Sequence, residues 1–198
     1  MVSTLRKRIL EVAYRDGMGH IPSALSILDI VWNLYDKVMT KDDQFILSKG
    51  HGCMALYAVL EAKGLLDWSR PLQGHPKRGG AILASTGSLG HGLPMAVGIA
   101  LAKKVKNESG WVFCLIGDGE MNEGTTWESG LLVDYLKLDN LHVIVDDNGT
   151  SLFKKLNPFN FEFVKTIKGD GVPYLQSREW HNRKLTKEDY EKSVASIN

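Results

Sequence analysis

Apolar and polar positions along the chain repeat in two periods, which predicts helices separated by short buried strands. Apolar residues three or four positions apart predict helices, and short β-branched or aromatic runs predict strands. The predicted helices cover residues 3–15, 23–38, 54–62, 94–106 and 125–136, and the predicted strands cover residues 45–47, 111–116 and 141–145. Ser23 is the predicted N-cap of the second helix. Residues 74–92 are rich in Gly, Pro, Ser and Thr and predict a long loop.

The last two predicted strands flank a helix, which is the order of a βαβ unit. This order predicts an α/β fold with an open, mostly parallel sheet and helices on both faces. We expect one domain over residues 1–198, because that length supports one sizeable core. In such sheets, ligands bind beyond the carboxyl ends of the strands, so those ends are where functional residues are expected.

Charge and composition narrow the classes of function. The chain has 24 Lys and Arg against 23 Asp and Glu, a formal charge of +1. This balance gives no support for binding to nucleic acid or to an acidic membrane surface. No apolar run is long enough to span a bilayer, so we expect a cytoplasmic protein. Cys53 and Cys114 fit no metal or redox spacing and are interpreted as reduced core residues.

Two short glycine-containing segments directly follow the last two predicted strands. They are Gly117-Asp118-Gly119-Glu120 and Asp146-Asp147-Asn148-Gly149. The first alone is also the sequence of a plain turn, but the pair at this spacing favours a site. Asp118, expected to be exposed, and Asn148 offer oxygen ligands that suit Mg²⁺, with Ca²⁺ as the alternative. The glycines let a diphosphate approach the backbone.

The sequence resembles the N-terminal, diphosphate-binding part of transketolase, a thiamine-diphosphate enzyme. Beyond the two segments above, the motifs that carry the resemblance are Gly19-His20, Ser48-Lys49-Gly50-His51-Gly52, Gly74-His75-Pro76, Thr86-Gly87-Ser88-Leu89-Gly90-His91-Gly92, Asn122-Glu123-Gly124, Thr166-Ile167-Lys168-Gly169-Asp170-Gly171-Val172 and Glu179-Trp180-His181. They stand in the order of the family, and similarity covers residues 5–152 and 164–198. The resemblance implies a shortened thiamine-diphosphate-binding fold.

The resemblance also implies roles for individual residues. The implied cofactor-binding set is His51, Gly87, Leu89, Gly117, Asp118, Gly119, Asn148 and Thr150. Within it, Asp118, Asn148 and the carbonyl of Thr150 would be metal ligands. The implied catalytic set is His20, His51, His75, Glu123 and His181. The first three histidines would line the route to the thiazolium carbon, Glu123 would join an acidic relay between paired sites, and His181 would reach the diphosphate or substrate.

Other polar residues near these motifs have simpler interpretations. His91 is expected to pack beneath its loop, and His142, which lies inside a strand, is expected to be structural. Glu120 and Glu128 are interpreted as solvated charges at the start and on the face of a helix.

Two departures from the family pattern affect the prediction. Pro22 stands where the family has small residues, and it removes a backbone donor. Between Phe153 and Val164 the chain is shorter than the family, which predicts an internal deletion of one or more αβ units around residues 153–163.

The implied function is transfer of a two-carbon ketol unit from a ketose or its phosphate to an aldose. The glutamate that activates thiamine diphosphate lies on a pyrimidine-binding domain in the family, so we expect a separate subunit to supply it. An apolar surface on the helix at 125–136 predicts a homodimer or a heterotetramer; its residues are Trp127, Leu131, Leu132 and Tyr135. One alternative is a shortened, catalytically inactive scaffold or binding subunit. The other is part of a deoxyxylulose-phosphate synthase or an oxo-acid dehydrogenase.

Overall fold

The computed structural model describes residues 1–149 and 159–197. Within these residues the helices are α1 Val2–Asp16, α2 Ile21–Asn33, α3 Cys53–Ala62, α4 Gly92–Lys106, α5 Gly124–Leu136 and α6 Lys187–Ala195, and the strands are β1 Gln44–Leu47, β2 Val112–Gly117, β3 Leu141–Asp147 and β4 Glu162–Lys165. No helix in these two ranges is long and apolar enough to cross a membrane. The chain divides into two compact units, which are described in turn.

The first unit, residues 1–38, 51–75 and 166–198, is helical. Helix α1 packs against α2, α3 and α6, and α2 packs against α3. Helix α2 begins at Ile21 with His20 as its N-cap, so the prediction of a cap at Ser23 is wrong. Ser23 is instead fully buried in the first turn of the helix. Pro22 occupies the first turn, where a missing N–H costs no helical hydrogen bond.

The second unit, residues 39–50 and 76–165, contains the sheet. Its four described strands are all parallel, in the order β1-β2-β3-β4. The strand β2 is buried along its whole length, and helix α4 packs on the strands with apolar residues from Leu93 to Ala100. This arrangement confirms the predicted parallel α/β fold, including the βαβ unit formed by β2, α5 and β3.

Helix α5 exposes part of its apolar sequence. Leu131, Leu132 and Tyr135 are exposed, Tyr135 to 82%. Trp127 differs from this expectation, because it packs on the core of the second unit with its ring edge-on to Phe159. The apolar surface of α5 is therefore smaller than predicted. The two cysteines are buried and unpaired, as predicted.

Candidate functional site

The ends of β2 and β3 bring the two glycine-containing segments together in the second unit. The register pairs Gly117 with Asp146, so the residues after each strand start side by side. Asp118 begins a 3₁₀ turn, and its Oδ2 accepts a hydrogen bond from the amide of Gly149 at 2.9 Å. Its side chain is buried, so the expectation of an exposed carboxylate is wrong. The bond to Gly149 fixes this carboxylate beside the other segment.

Asn148 is oriented by a buried ion pair that sequence reasoning missed. Its Nδ2 donates to Asp146 Oδ2 at 2.9 Å, which turns the amide oxygen away from Asp146. The same Asp146 oxygen accepts from the ammonium of Lys49, and both side chains are almost fully buried. The position of Lys49 directly after a buried strand, at the edge where β3 also ends, was the signal that could have found the pair. Because the two charges cancel, Asn148 is positioned without adding net charge.

Glu120 is buried, so its interpretation as a solvated charge is wrong. Its Oε1 accepts from the hydroxyl of Ser48 at 2.6 Å and from the amide of Gly90 at 2.9 Å. Its Oε2 accepts from the amide of Gly117 at 2.8 Å. Burial raises the pKa of this carboxyl, and the three donors oppose the shift. Glu128 is exposed, which confirms its interpretation as a solvated charge on the helix face.

The loop at residues 86–92 lies against the first part of the same unit. The hydroxyl of Thr86 donates to the carbonyl of Leu47 at 2.6 Å. A Cβ at Gly50 would lie 2.8 Å from the amide nitrogen of Gly87, so only glycine allows the backbones to approach this closely. Leu89 is exposed. His91 is also exposed, with Nδ1 2.9 Å from the Leu89 carbonyl, so its predicted packing beneath the loop is wrong.

Two further predicted residues, Gly119 and Glu123, lie within three residues of Glu120 along the chain, beside the strand-end cluster of Lys49, Asp118, Glu120, Asp146 and Asn148. Gly119 lies in the 3₁₀ turn, and its carbonyl accepts from the side-chain amide of Asn122. Glu123 is the N-cap residue of α5, and its amide donates to the Glu120 carbonyl at 3.0 Å. His142 stacks on Phe113. Thr150 lies outside the described residues.

Three of the predicted histidines form a cluster in the first unit. The His20 ring centroid lies 5.3 Å from that of His51 and 5.4 Å from that of His181. His20 adopts a left-handed backbone with φ 59°, which is uncommon for a residue other than glycine. Its Nδ1 is buried and has no hydrogen-bond partner among the described residues. Burial lowers the pKa of His20, and the nearby His181 lowers it further.

His181 has a neighbour that determines which tautomer its neutral ring adopts. The ammonium of Lys168 lies 2.9 Å from His181 Nδ1. An ammonium only donates, so Nδ1 is the acceptor and the ring proton of neutral His181 lies on Nε2. His75 belongs to the same unit but is exposed, and its carbonyl accepts from the hydroxyl of Tyr57 at 2.9 Å. Its charge contributes to the lowered pKa of His20.

The strand-end residues are chemically suited to a hard cation that carries a diphosphate. A buried carboxylate and an oriented amide oxygen are oxygen donors of the kind Mg²⁺ prefers. In the described ranges no three His, Cys, Asp or Glu side chains are grouped to hold a metal ion. Such a site would leave several coordination positions of the cation for phosphate oxygens and water, as Mg²⁺ usually requires.

Comparisons with known proteins agree with this geometry. The family model described as the thiamine diphosphate binding domain of transketolase matches residues 1–166. An apulose-4-phosphate transketolase subunit of Phocaeicola vulgatus is 32% identical, with 97% of this chain and 90% of that protein covered. The 6-deoxy-6-sulfo-D-fructose transketolase subunit SqwG of a Clostridium species is 30% identical, with 98% and 94% covered.

Solved structures agree on the fold. Transketolase from Campylobacter jejuni superposes with a TM-score of 0.77 at 21% identity, covering 98% of this chain and 42% of that one. The chain thus spans about two fifths of that transketolase but most of the two subunit relatives. With a family model that matches most of its length, the chain belongs to the transketolase family and contains the thiamine diphosphate binding domain of that family.

Proposed function

We propose that the strand-end cluster of the second unit binds the diphosphate of thiamine diphosphate through Mg²⁺. The proposal rests on one observation: the Gly149 amide donates to Asp118 and so joins the two segments, while Asp146 orients Asn148 beside them. Asp118 and Asn148 are the proposed metal ligands. The carbonyl of Thr150 is proposed as the third, as the family resemblance implies.

Other predicted residues are proposed to contact the rest of the cofactor. Gly117, Gly119 and His51 would contact the diphosphate, and the backbone of Gly87 and Leu89 would contact the aminopyrimidine. When bound, thiamine diphosphate supplies the nucleophilic carbon for cleaving and forming bonds next to a carbonyl.

The histidines of the first unit are proposed to act on the sugar. The lowered pKa of His20 keeps its imidazole neutral near pH 7, the form that accepts a proton from a hydroxyl. His181, with its proton on Nε2, would donate a hydrogen bond to substrate or diphosphate. His75 and Glu123 are proposed as a further substrate contact and as part of the acidic relay.

The proposed reaction is transfer of a two-carbon ketol unit between sugars or sugar phosphates, carried out with a second subunit. Two relatives that align with this chain over most of their own length are named as transketolase subunits, and the name of one of them includes apulose 4-phosphate. The partner would supply the pyrimidine-binding domain and its activating glutamate. The exposed Leu131, Leu132 and Tyr135 of α5 support an interface there, in a homodimer or a heterotetramer.

A non-catalytic scaffold is the second candidate. The alignment with the Phocaeicola protein runs over 254 positions, whereas this chain has 198 residues, so that relative contains residues without a counterpart here. This difference supports the predicted deletion, and with it a loss of catalysis. The retained Asp118 and Asn148 favour the cofactor-binding function.

Calorimetric titration of the full chain with thiamine diphosphate, with and without Mg²⁺, tests the proposal. Wild-type binding should require Mg²⁺, and Asp118→Ala should weaken it by about tenfold or more, the effect of losing one charged contact. Asp134→Ala removes an exposed carboxylate of α5 and serves as the matched control. Binding that is independent of Mg²⁺, or equal in Asp118→Ala and wild type, would contradict the proposal.

A further inference from the structure

The Glu120 carboxylate joins three chain segments that are distant in sequence. It accepts hydrogen bonds from Ser48 after β1, from Gly90 in the loop at 86–92, and from Gly117 at the end of β2. Ser48 lies 72 residues away and Gly90 lies 30 residues away. The side chain is 1% exposed, so these bonds replace the water that would otherwise solvate it.

Ser48 extends the connection to the start of α4. Its hydroxyl donates its one proton to Glu120, and its oxygen accepts from the amide of Gly92 at 3.1 Å. The carboxylate therefore holds Gly90 directly and Gly92 through the hydroxyl. Both glycines belong to the segment 86–92 that also contains Gly87 and Leu89, so one buried group holds that loop at two positions.

We propose that Glu120 is a positioning residue that fixes the 86–92 loop to the Gly117–Gly119 turn, so that the backbone on both sides of the cofactor is ordered before it binds. This inference rests on the proposed function, because the loop and the turn are the proposed contacts of the aminopyrimidine and the diphosphate. Preordering a binding loop lowers the entropy lost when the ligand binds.

The role requires a carboxylate rather than an amide of the same shape. All three groups around Glu120 donate to it, and an ionised carboxylate only accepts. In Glu120→Gln the NH₂ group must face either Gly117 or the pair Ser48 and Gly90. At least one donor then faces another donor, and a buried bond to the loop or to the turn is lost.

The first measurement is hydrogen–deuterium exchange of the full chain without cofactor. In Glu120→Gln, the peptide covering residues 86–92 or the one covering residues 117–119 should exchange about tenfold faster or more, according to the side that the NH₂ group faces, as expected for losing a bond to a charged acceptor. Glu108→Gln, which changes an exposed carboxylate of the same unit, should exchange like wild type. Unchanged exchange of both peptides in Glu120→Gln would overturn the inference.

The second measurement separates positioning from general loosening of the fold. Calorimetry with Mg²⁺ compares thiamine diphosphate with inorganic pyrophosphate, which lacks the aminopyrimidine. Where exchange shows that the loop is released, Glu120→Gln should weaken thiamine diphosphate by about tenfold more than pyrophosphate, because the displaced loop contacts only the former. Where exchange shows that the turn is released, Glu120→Gln should weaken both ligands, because both contain the diphosphate. Weakening of neither ligand, or equal weakening of both with the loop released, would overturn the positioning role.

The two measurements keep this inference distinct from the proposed function. If wild type binds neither ligand, the proposed function fails. The loop then has no role in cofactor binding, even where exchange shows that Glu120 holds it. If wild type binds both and Glu120→Gln behaves like wild type, only the inference about Glu120 fails. If Glu120→Gln does not fold, the same two measurements are made on Ser48→Ala. This variant keeps the carboxylate but removes its Ser48 donor and the acceptor of the Gly92 amide. We expect faster exchange of the peptide covering residues 86–92 and greater weakening of thiamine diphosphate than of pyrophosphate.

Discussion

The strand-end cluster and the histidine cluster satisfy their polar groups in opposite ways. In the strand-end cluster, Lys49 forms an ion pair with Asp146, and Glu120 accepts three hydrogen bonds. These three side chains are almost fully buried. In the second, the rings contact one another, and His20 keeps a left-handed backbone and a buried Nδ1 without a partner among the described residues. The strand-end cluster provides partners for its buried charges, and the histidine cluster retains strain and an unused polar atom.

This difference indicates what each cluster contributes to a bound ligand. Partnered charges and fixed amides suit the proposed binding of a diphosphate and its cation, because the cost of burial is already offset by partners and little reorganisation is needed. Strained backbone and an unpaired polar atom persist where the surrounding structure holds them, commonly at functional sites. We therefore expect substitutions in the strand-end cluster to affect stability strongly, and substitutions at His20 to affect mainly its response to pH.

The largest expected effect is the loss of the buried ion pair. Lys49→Met should lower the free energy of unfolding by about 3–5 kcal/mol, because it leaves the Asp146 carboxylate buried without its counter-charge. Urea denaturation of the full chain measures the change. The double variant Lys49→Met/Asp146→Asn should regain part of the loss, since it also removes the unpaired charge.

The exposed Lys106 provides the control for this prediction. Its nearest carboxylate, Glu108, lies 3.8 Å away and is also exposed, so Lys106→Met should change stability by less than about 0.5 kcal/mol. A loss below about 1 kcal/mol for Lys49→Met would mean that the strand-end cluster is not held together by this pair.

The next largest effect on stability is expected from substituting two glycines of α4, which tests how tightly the strand-end cluster is packed. A Cβ at Gly92 would lie 2.4 Å from Cα and Cβ of Ser48, whereas a Cβ at Gly98 would meet nothing within 4 Å. Gly92→Ala should cost about 1–3 kcal/mol through overpacking. Gly98→Ala should stabilise the chain by about 0.5–1 kcal/mol, because alanine favours a helix interior. Equal effects in urea denaturation would contradict close packing around Ser48.

The sequence was sufficient to predict the parts of the strand-end cluster that are local. Buried strands followed by glycine and acidic residues placed Asp118 and Asn148 at neighbouring strand ends, and the structure joins their segments there. Lys49 and Glu120 were missed in these roles because their partners lie 97 and 72 residues away along the chain. For Lys49 the available signal was its position directly after a buried strand, whereas the partners of both charges depend on the folded sheet.

The C-terminal part of the chain shows a second limit of the sequence pattern. Strand β4 has four residues of intermediate or exposed burial, and α6 has few buried residues, so neither has a clear apolar period. Helix α6 is instead defined by its N-terminus, where Thr186 and Asp189 form a capping box. A local cap for α6 and pairing with β3 for β4, rather than a hydrophobic pattern, therefore determine these elements.

The smallest expected effect concerns the pH dependence of stability at His20. Its pKa in the folded chain is lowered by burial, with further lowering by His181, His75 and Lys168, so the unfolded chain binds a proton more readily. Stability should therefore fall as pH decreases from about 6.5, the ordinary pKa of histidine, through the lower folded pKa. The effect is limited because the ring is only partly buried.

His20→Asn tests this linkage, because asparagine adopts the left-handed backbone readily and does not titrate in this range. The difference in the free energy of unfolding between the variant and wild type should move in favour of the variant as pH falls from about 6.5 to about 5. Between about pH 7.5 and 9 the difference should be constant, since His20 is neutral in both states there, and this range is the internal control. Urea denaturation across the pH series measures both. Parallel curves below about pH 6.5 would mean that His20 is no harder to protonate in the folded chain than in the unfolded one. The contrast between the strand-end cluster, whose buried charges have partners, and a proton-sensitive histidine cluster would then not hold.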